Sequence, residues 1–316
     1  MQNKNLIKYT CIFSFIIFSI MESNAQTESA VFKVVAYQKY TTIQRFNPKT
    51  YAYFDQLIYK LIRPNSNGEL IILPTTISDL KLLKKGKSEY DNVKLLIGIG
   101  GAKKNSKHFS AMAASPVSRK NFIKNIIEFC HQHGLDGADI DWEYPQSSVD
   151  KANAVVLFKE LHKAFKEKGL FLTAAVTYTP GQVRFAKSIE NYVHQVNLMV
   201  YEPMEGLHTF QEQIDFAMNL IHKEKLNLKK LILGLPFYGR NLSDGKAIAY
   251  NKIIKSKELG TTDLSKLDYM DIDETKNNVI NMKLNGLAGI MFWELGFDTS
   301  VNTSTSLLRG INSVLK

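Results

Sequence analysis

The fold class that the sequence predicts is α/β, a single (β/α)8 TIM barrel, and two observations predict it. Short runs rich in Val, Ile, Leu and Phe recur along the chain, and amphipathic stretches with helix-ending residues separate them. Eight such alternations over the roughly 290 residues after Ala25 exceed what a doubly wound sheet commonly uses, and no phosphate-binding Gly-rich turn accompanies them. Composition agrees. Of 316 residues, 45% are hydrophobic and 22% charged, with 18 Phe and 14 Tyr, which supplies one large core and excludes disorder.

Taken in order, the expected strands are FKVVAY (32–37), QLIYKLI (56–62), VKLLIGI (93–99), GADIDW (137–142), LFLTAAV (170–176), QVNLMVY (195–201), LILGLPF (231–237) and LAGIMFW (287–293). The helices between them carry readable ends. Ser115-Pro116 opens one as cap and first residue, Phe122, Ile123, Ile126, Ile127 and Cys130 form its apolar stripe, and Gly134 stops it. Another is expected from about Lys151 to Lys168, with Val155, Phe158, Leu161 and Phe165 on one side and Gly169 after it. No linker, repeat or low-complexity tract interrupts the pattern, so residues 26–316 read as one catalytic domain ending in a helix near Thr305 to Leu315.

The first residues stand apart. Lys4 and Lys8 precede an apolar run from Ile12 to Met21, and Ser23-Asn24-Ala25 offers small residues for cleavage, so residues 1–25 read as a signal peptide with export after Ala25. The run is too short for the roughly 20 residues of a membrane span, and no stable membrane insertion is expected. Removing the segment lowers the net charge from +10 to +9 and leaves Cys130 as the only cysteine, so packing alone must hold the domain, as a monomer. Basic residues scatter through helices such as SRKNFIKN without a clustered tail, which argues against a nucleic-acid partner.

In such barrels chemistry sits at the C-terminal ends of the strands. Residues 136–145, DGADIDWEYP, place Asp136, Asp139, Asp141 and Glu143 at one of those ends. Alternation puts Asp139, Asp141 and Glu143 on one face toward the barrel axis, and Ile140 and Trp142 on the other toward the helices. Close carboxylates cannot all ionise cheaply, so the expectation is one proton shared behind Glu143, with Glu143 protonated near neutral pH as a general acid needs. An acidic metal loop of the EF-hand kind would need different spacing and a Gly-bearing turn. His131 and His133 end a helix without an HExxH pattern, and neither a metal nor a cofactor is expected.

These residues resemble the DGxDxDWEYP signature of glycoside hydrolase family 18, the chitinases and their relatives. Further strings follow in that family's order: LIGIGG is similar to its SxGG motif, MVYE to MxYD, LILGLPFYGR to GLPxYGR, and GIMFWE to the last strand with its active-site tryptophan. The resemblance implies Glu143 as catalytic acid and a substrate that supplies its own nucleophile, the 2-acetamido carbonyl. It also implies that Asp141 orients the acetamido N–H, Asp139 sets the proton balance of Asp141, and Tyr201 donates to the acetamido oxygen. Trp293 would floor the sugar site, with Met199, Glu202, Tyr37 and Arg240 as further substrate contacts, Arg240 either pairing with an acid or capping its loop. The implied partners are chitin, chitooligosaccharides or other GlcNAc-containing glycans. The alternatives are an endo-β-N-acetylglucosaminidase acting on the chitobiose core of N-glycans and a non-catalytic glycan-binding protein on the same fold.

The chain departs from the pattern at two positions. Gly98 replaces the Ser of SxGG, removing a hydroxyl that could support the inner aspartate, and Glu202 replaces the Asp of MxYD, extending the carboxylate by about 1 Å. Residues 241–288 are too few for the large insertion domain of many chitinases, so a shallower groove is expected.

Overall fold

The computed structural model describes residues 31–102 and 104–316, so the expected signal segment lies outside the described residues. All eight expected strands form: β1 (Lys33–Lys39), β2 (Gln56–Pro64), β3 (Lys94–Gly101), β4 (Gly137–Trp142), β5 (Phe171–Thr177), β6 (Gln195–Met199), β7 (Leu231–Pro236) and β8 (Gly289–Trp293). Neighbours run parallel, and β1 pairs with both β2 and β8, which closes the barrel. β6 stops at Met199 rather than at Tyr201, because the chain turns there and carries residues 200–202 across the barrel mouth.

The connections are α1 (Thr76–Lys87), α2 (Phe109–Ala114) with α3 (Pro116–His133), α4 (Ser148–Lys168), α5 (Pro180–Ile189), α6 (Phe210–Lys223), α7 (Tyr250–Glu258) with α8 (Ile272–Leu284), and α9 (Leu307–Leu315) after the last strand. α3 is bounded as expected. The Ser115 hydroxyl accepts from the Ser118 N–H at 3.3 Å, and Gly134 takes the left-handed conformation at φ 60°. Its stripe is buried except Ile127, which is only partly covered. α4 starts at Ser148, ahead of the expected Lys151, because the Ser147 hydroxyl accepts from the Asp150 N–H at 2.9 Å; a cap of this kind is worth about 1 kcal/mol. α9 likewise starts after its cap, Ser306.

No large insertion domain separates β7 from β8. The segment instead folds Tyr238–Asn241 between Ala247–Ala249 and Leu267–Asp268 as a small antiparallel sheet beside the barrel mouth.

Register sets what fills the barrel. Lys60, Gly98, Asp139, Thr173 and Gln195 are successive lateral partners on β2 to β6, so their side chains share one inward layer. Polar groups run through this layer where Val, Ile and Leu commonly dominate. Gln56 donates to Gln195 at 2.9 Å, Gln195 to Asn197 at 3.0 Å, and Asn197 to the Tyr37 hydroxyl at 2.8 Å. These buried polar groups are kept by one another, and the chain of bonds leads up to the acids.

Candidate active site

Alternation along β4 sorts its side chains as the sequence predicts. Ile140 and Trp142 face outward and are buried, with the Trp142 ring stacked on Phe109 of α2 at 5.3 Å. Asp139, Asp141 and Glu143 face inward at increasing height, and Asp141 and Glu143 line a cleft of about 460 Å3 at the barrel mouth.

Asp139 is fully buried and accepts from the Thr173 hydroxyl at 2.6 Å, the Tyr37 hydroxyl at 3.0 Å and the Asn197 amide at 3.2 Å. Burial pushes its carboxyl up to about 6, while the nearby Lys60 charge pulls the other way. Glu143 stands at the rim, half-buried. Burial first, then the charges of Asp141 and Glu202, push its carboxyl up to about 9, so it keeps its proton through neutral pH. Its backbone N–H is fixed by a 2.9 Å bond to the Ser106 hydroxyl, which donates to the Gly101 carbonyl at 2.8 Å.

Between them the structure adds a cation that the sequence reading did not foresee. Asp141 pairs with the ammonium of Lys60, a residue only 1% exposed, so a buried positive charge offsets part of the repulsion among the acids. Burial disfavours that ammonium, but the carboxylates of Asp141 and Asp139 outweigh burial and hold its proton above the ordinary lysine value. Gly98 also reads differently. A Cβ at this position would lie 2.3 Å from Lys60 Cδ, so the missing side chain is the space through which Lys60 reaches the acid. Sequence reasoning missed Lys60. The available signal was a charge at an inward position of the apolar run QLIYKLI, two residues from Ile58.

The opposite side of the cleft is aromatic. Trp293 ends β8, lines the cleft and lies 5.9 Å from the Tyr37 ring, while its neighbour Phe292 stacks on Phe237 at 4.1 Å behind the barrel wall. Met199 and Tyr201 are buried and line the cleft. The Tyr201 hydroxyl has Met291 Sδ as its protein neighbour at 3.7 Å, and its backbone carbonyl accepts from the Tyr238 hydroxyl at 2.8 Å.

The remaining site residues have protein partners as well as cleft surface. Tyr37 spends its hydroxyl on Asp139. The Glu202 carboxyl accepts from the Tyr144 hydroxyl, its backbone carbonyl from Tyr178 at 2.8 Å, and burial raises its carboxyl against the bonds from Tyr144 and Thr177. Arg240 pairs with an acid, Asp268 of the small sheet, at 3.1 Å, and its guanidinium lies 4.1 Å from the Phe210 ring centroid. Among the described residues, no group of three or more His, Cys, Asp and Glu side chains could hold a metal ion.

With this geometry in hand, comparison places the chain. Residues 28–298 match the family model for glycosyl hydrolases family 18, and the chain belongs to that family. Probable chitinase 2 of Drosophila melanogaster is 28% identical over 215 residues, 61% of this chain and 44% of that protein. Chitotriosidase-1 of Mus musculus is 26% identical over 278 residues, 67% of this chain and 60% of that protein. The matches thus span 44% and 60% of these two relatives' lengths. In fold, the chain is similar to the Group IV chitinase of Ostrinia furnacalis, solved in complex with allosamidin, with a TM-score of 0.76 at 24% identity over 90% of this chain and 98% of that one.

Proposed function

We propose that the protein is an exported, retaining hydrolase of β-1,4-linked N-acetylglucosamine chains, chitin or chitooligosaccharides, whose sugar supplies the nucleophile. The observation that carries the reading is the pair at the top of β4. A carboxyl held protonated at the rim stands beside a buried carboxylate whose Oδ1 has no protein partner.

Glu143 would give its proton to the glycosidic oxygen as that bond breaks, while the acetamido carbonyl oxygen forms the new bond to the anomeric carbon. Asp141 Oδ1 would accept from the acetamido N–H, which carries positive charge as the oxazolinium ring closes, and the Tyr201 hydroxyl would donate to the acetamido oxygen. Water then attacks the anomeric carbon from the face that the leaving group left, the bond to the acetamido oxygen breaks on the opposite face, and the Glu143 carboxylate takes the water's proton, with net retention. Trp293 offers a face for the apolar side of the ring. The relatives named chitinases support chitin as the first substrate to test.

Product analysis on chitohexaose beside a high-mannose glycoprotein tests the reading. Short chitooligosaccharides released first as the β-anomer, with the glycoprotein intact, are expected. Release of the N-glycan would move the activity to the chitobiose core, and binding of either without turnover would make the protein a glycan-binding one.

A further inference from the structure

The inference here rests on the reaction just proposed and concerns a residue that this reaction does not require. Lys60 is buried at the floor of the cleft, its ammonium has Asp141 as its hydrogen-bonding partner, and its stem crosses the space that any side chain at position 98 would fill. Its lateral partner in the sheet is Gly98, whose own partner on the far side is Asp139, so the cation enters the acid ladder from β2 across a gap in β3. The contact engages Asp141 Oδ2 alone, while Oδ1 of the same carboxylate is buried without a partner.

We infer that Lys60 is a positioning residue: by holding Oδ2 it fixes the rotation of Asp141, so that Oδ1 stays directed at the substrate's acetamido N–H. A buried carboxyl flanked by two more acids would otherwise turn away from them, and the oxygen that the substrate has to use would turn with it. The ammonium anchors it. Among the described residues, the groups facing Asp141 are Lys60 from β2, Asp139 and Glu143 from its own strand, Tyr37 from β1, Tyr201 and Glu202 beyond β6, and Tyr144. Lys60 is the cation among them. The direction of its own shift, toward tighter proton binding, agrees with a permanent charge at this point.

The test compares wild type with Lys60→Met on chitotetraose across pH. The expected result is a kcat lower by about tenfold or more with KM changed much less. The acid limb of kcat/KM should move up by about one pH unit or more, because Asp139 loses the Lys60 charge that lowers its carboxyl. In Lys60→Ala, added propylamine should restore part of the rate. A folded Lys60→Met with near-normal kcat and an unmoved acid limb would overturn the inference and leave Lys60 as core filling. If wild type itself cleaves no chitooligosaccharide, the proposed reaction fails, and thermal unfolding of Lys60→Met, Asp141→Asn and the double variant still decides the pairing. Each single change should lower Tm, and the double should lower it by less than the sum. Additive losses would overturn the pairing without reference to activity.

Discussion

The two walls of the cleft are built on opposite principles. On the side of β2, β3 and β4, charge is concentrated, and the buried acids have partners: Asp139 two hydroxyls and an amide, Asp141 the ammonium of Lys60. On the side of β6, β7 and β8, Met199, Tyr201 and Trp293 present carbon, ring faces and a single hydroxyl, with Glu202 and Arg240 as the charges beyond the strand ends. Burial does different work on each side. It shifts proton equilibria on the charged wall, where desolvation of a carboxylate is expensive, and on the aromatic wall it leaves an apolar shelf, which the proposed reaction would use to hold a sugar ring. The comparison teaches that chemistry and grip can be perturbed separately.

Breaking the charged wall at its rim has the largest expected effect. Glu143→Gln keeps the shape and loses the transferable proton, so kcat on chitotetraose should fall by about a thousandfold or more with Tm little changed. Near-normal turnover by that variant would remove Glu143 as the acid. Next comes pH itself. With its carboxyl pushed up to about 9, Glu143 is protonated at neutrality, and activity should decline only as pH rises through that value, by about tenfold per unit beyond it. A decline already complete at neutral pH would show that the charged wall does not hold this proton.

On the aromatic wall, Trp293→Ala should raise KM by about tenfold, equivalent to about 1.4 kcal/mol, and leave both limbs of the pH profile in place. Moved limbs would show that the two walls are coupled. The smallest change is expected from Glu202→Asp. The longer carboxylate already meets the Tyr144 hydroxyl, so the loop has adapted to it, and shortening should lower kcat/KM by about threefold. A rise of about tenfold would instead mark Glu202 as an obstacle to chitin.

What the sequence made legible follows from periodicity and local chemistry. The inward set Asp139, Asp141 and Glu143, the outward Trp142, and the ends of α3 at Ser115 and Gly134 depend on residues within a few positions of one another, and all stand where the pattern put them. What stayed hidden depends on register between strands. Lys60 meets Asp141 across 81 residues, Tyr37 meets Asp139 across 102, and Arg240 finds Asp268 only because the segment after β7 doubles back beside it. A strand read alone shows which way a side chain points but not which neighbour it will face. The Ser-to-Gly departure at position 98 illustrates this: along the chain it is a lost hydroxyl, and across the sheet it is a passage.

That passage ties two positions together. With a Cβ at position 98 only 2.3 Å from Lys60 Cδ, a side chain there and the lysine stem as it lies do not fit without one of them moving. Restoring a serine while Lys60 remains recreates the collision, and removing Lys60 alone takes from Asp141 the cation it is paired with. The two residues are therefore exchanged at least cost as a pair.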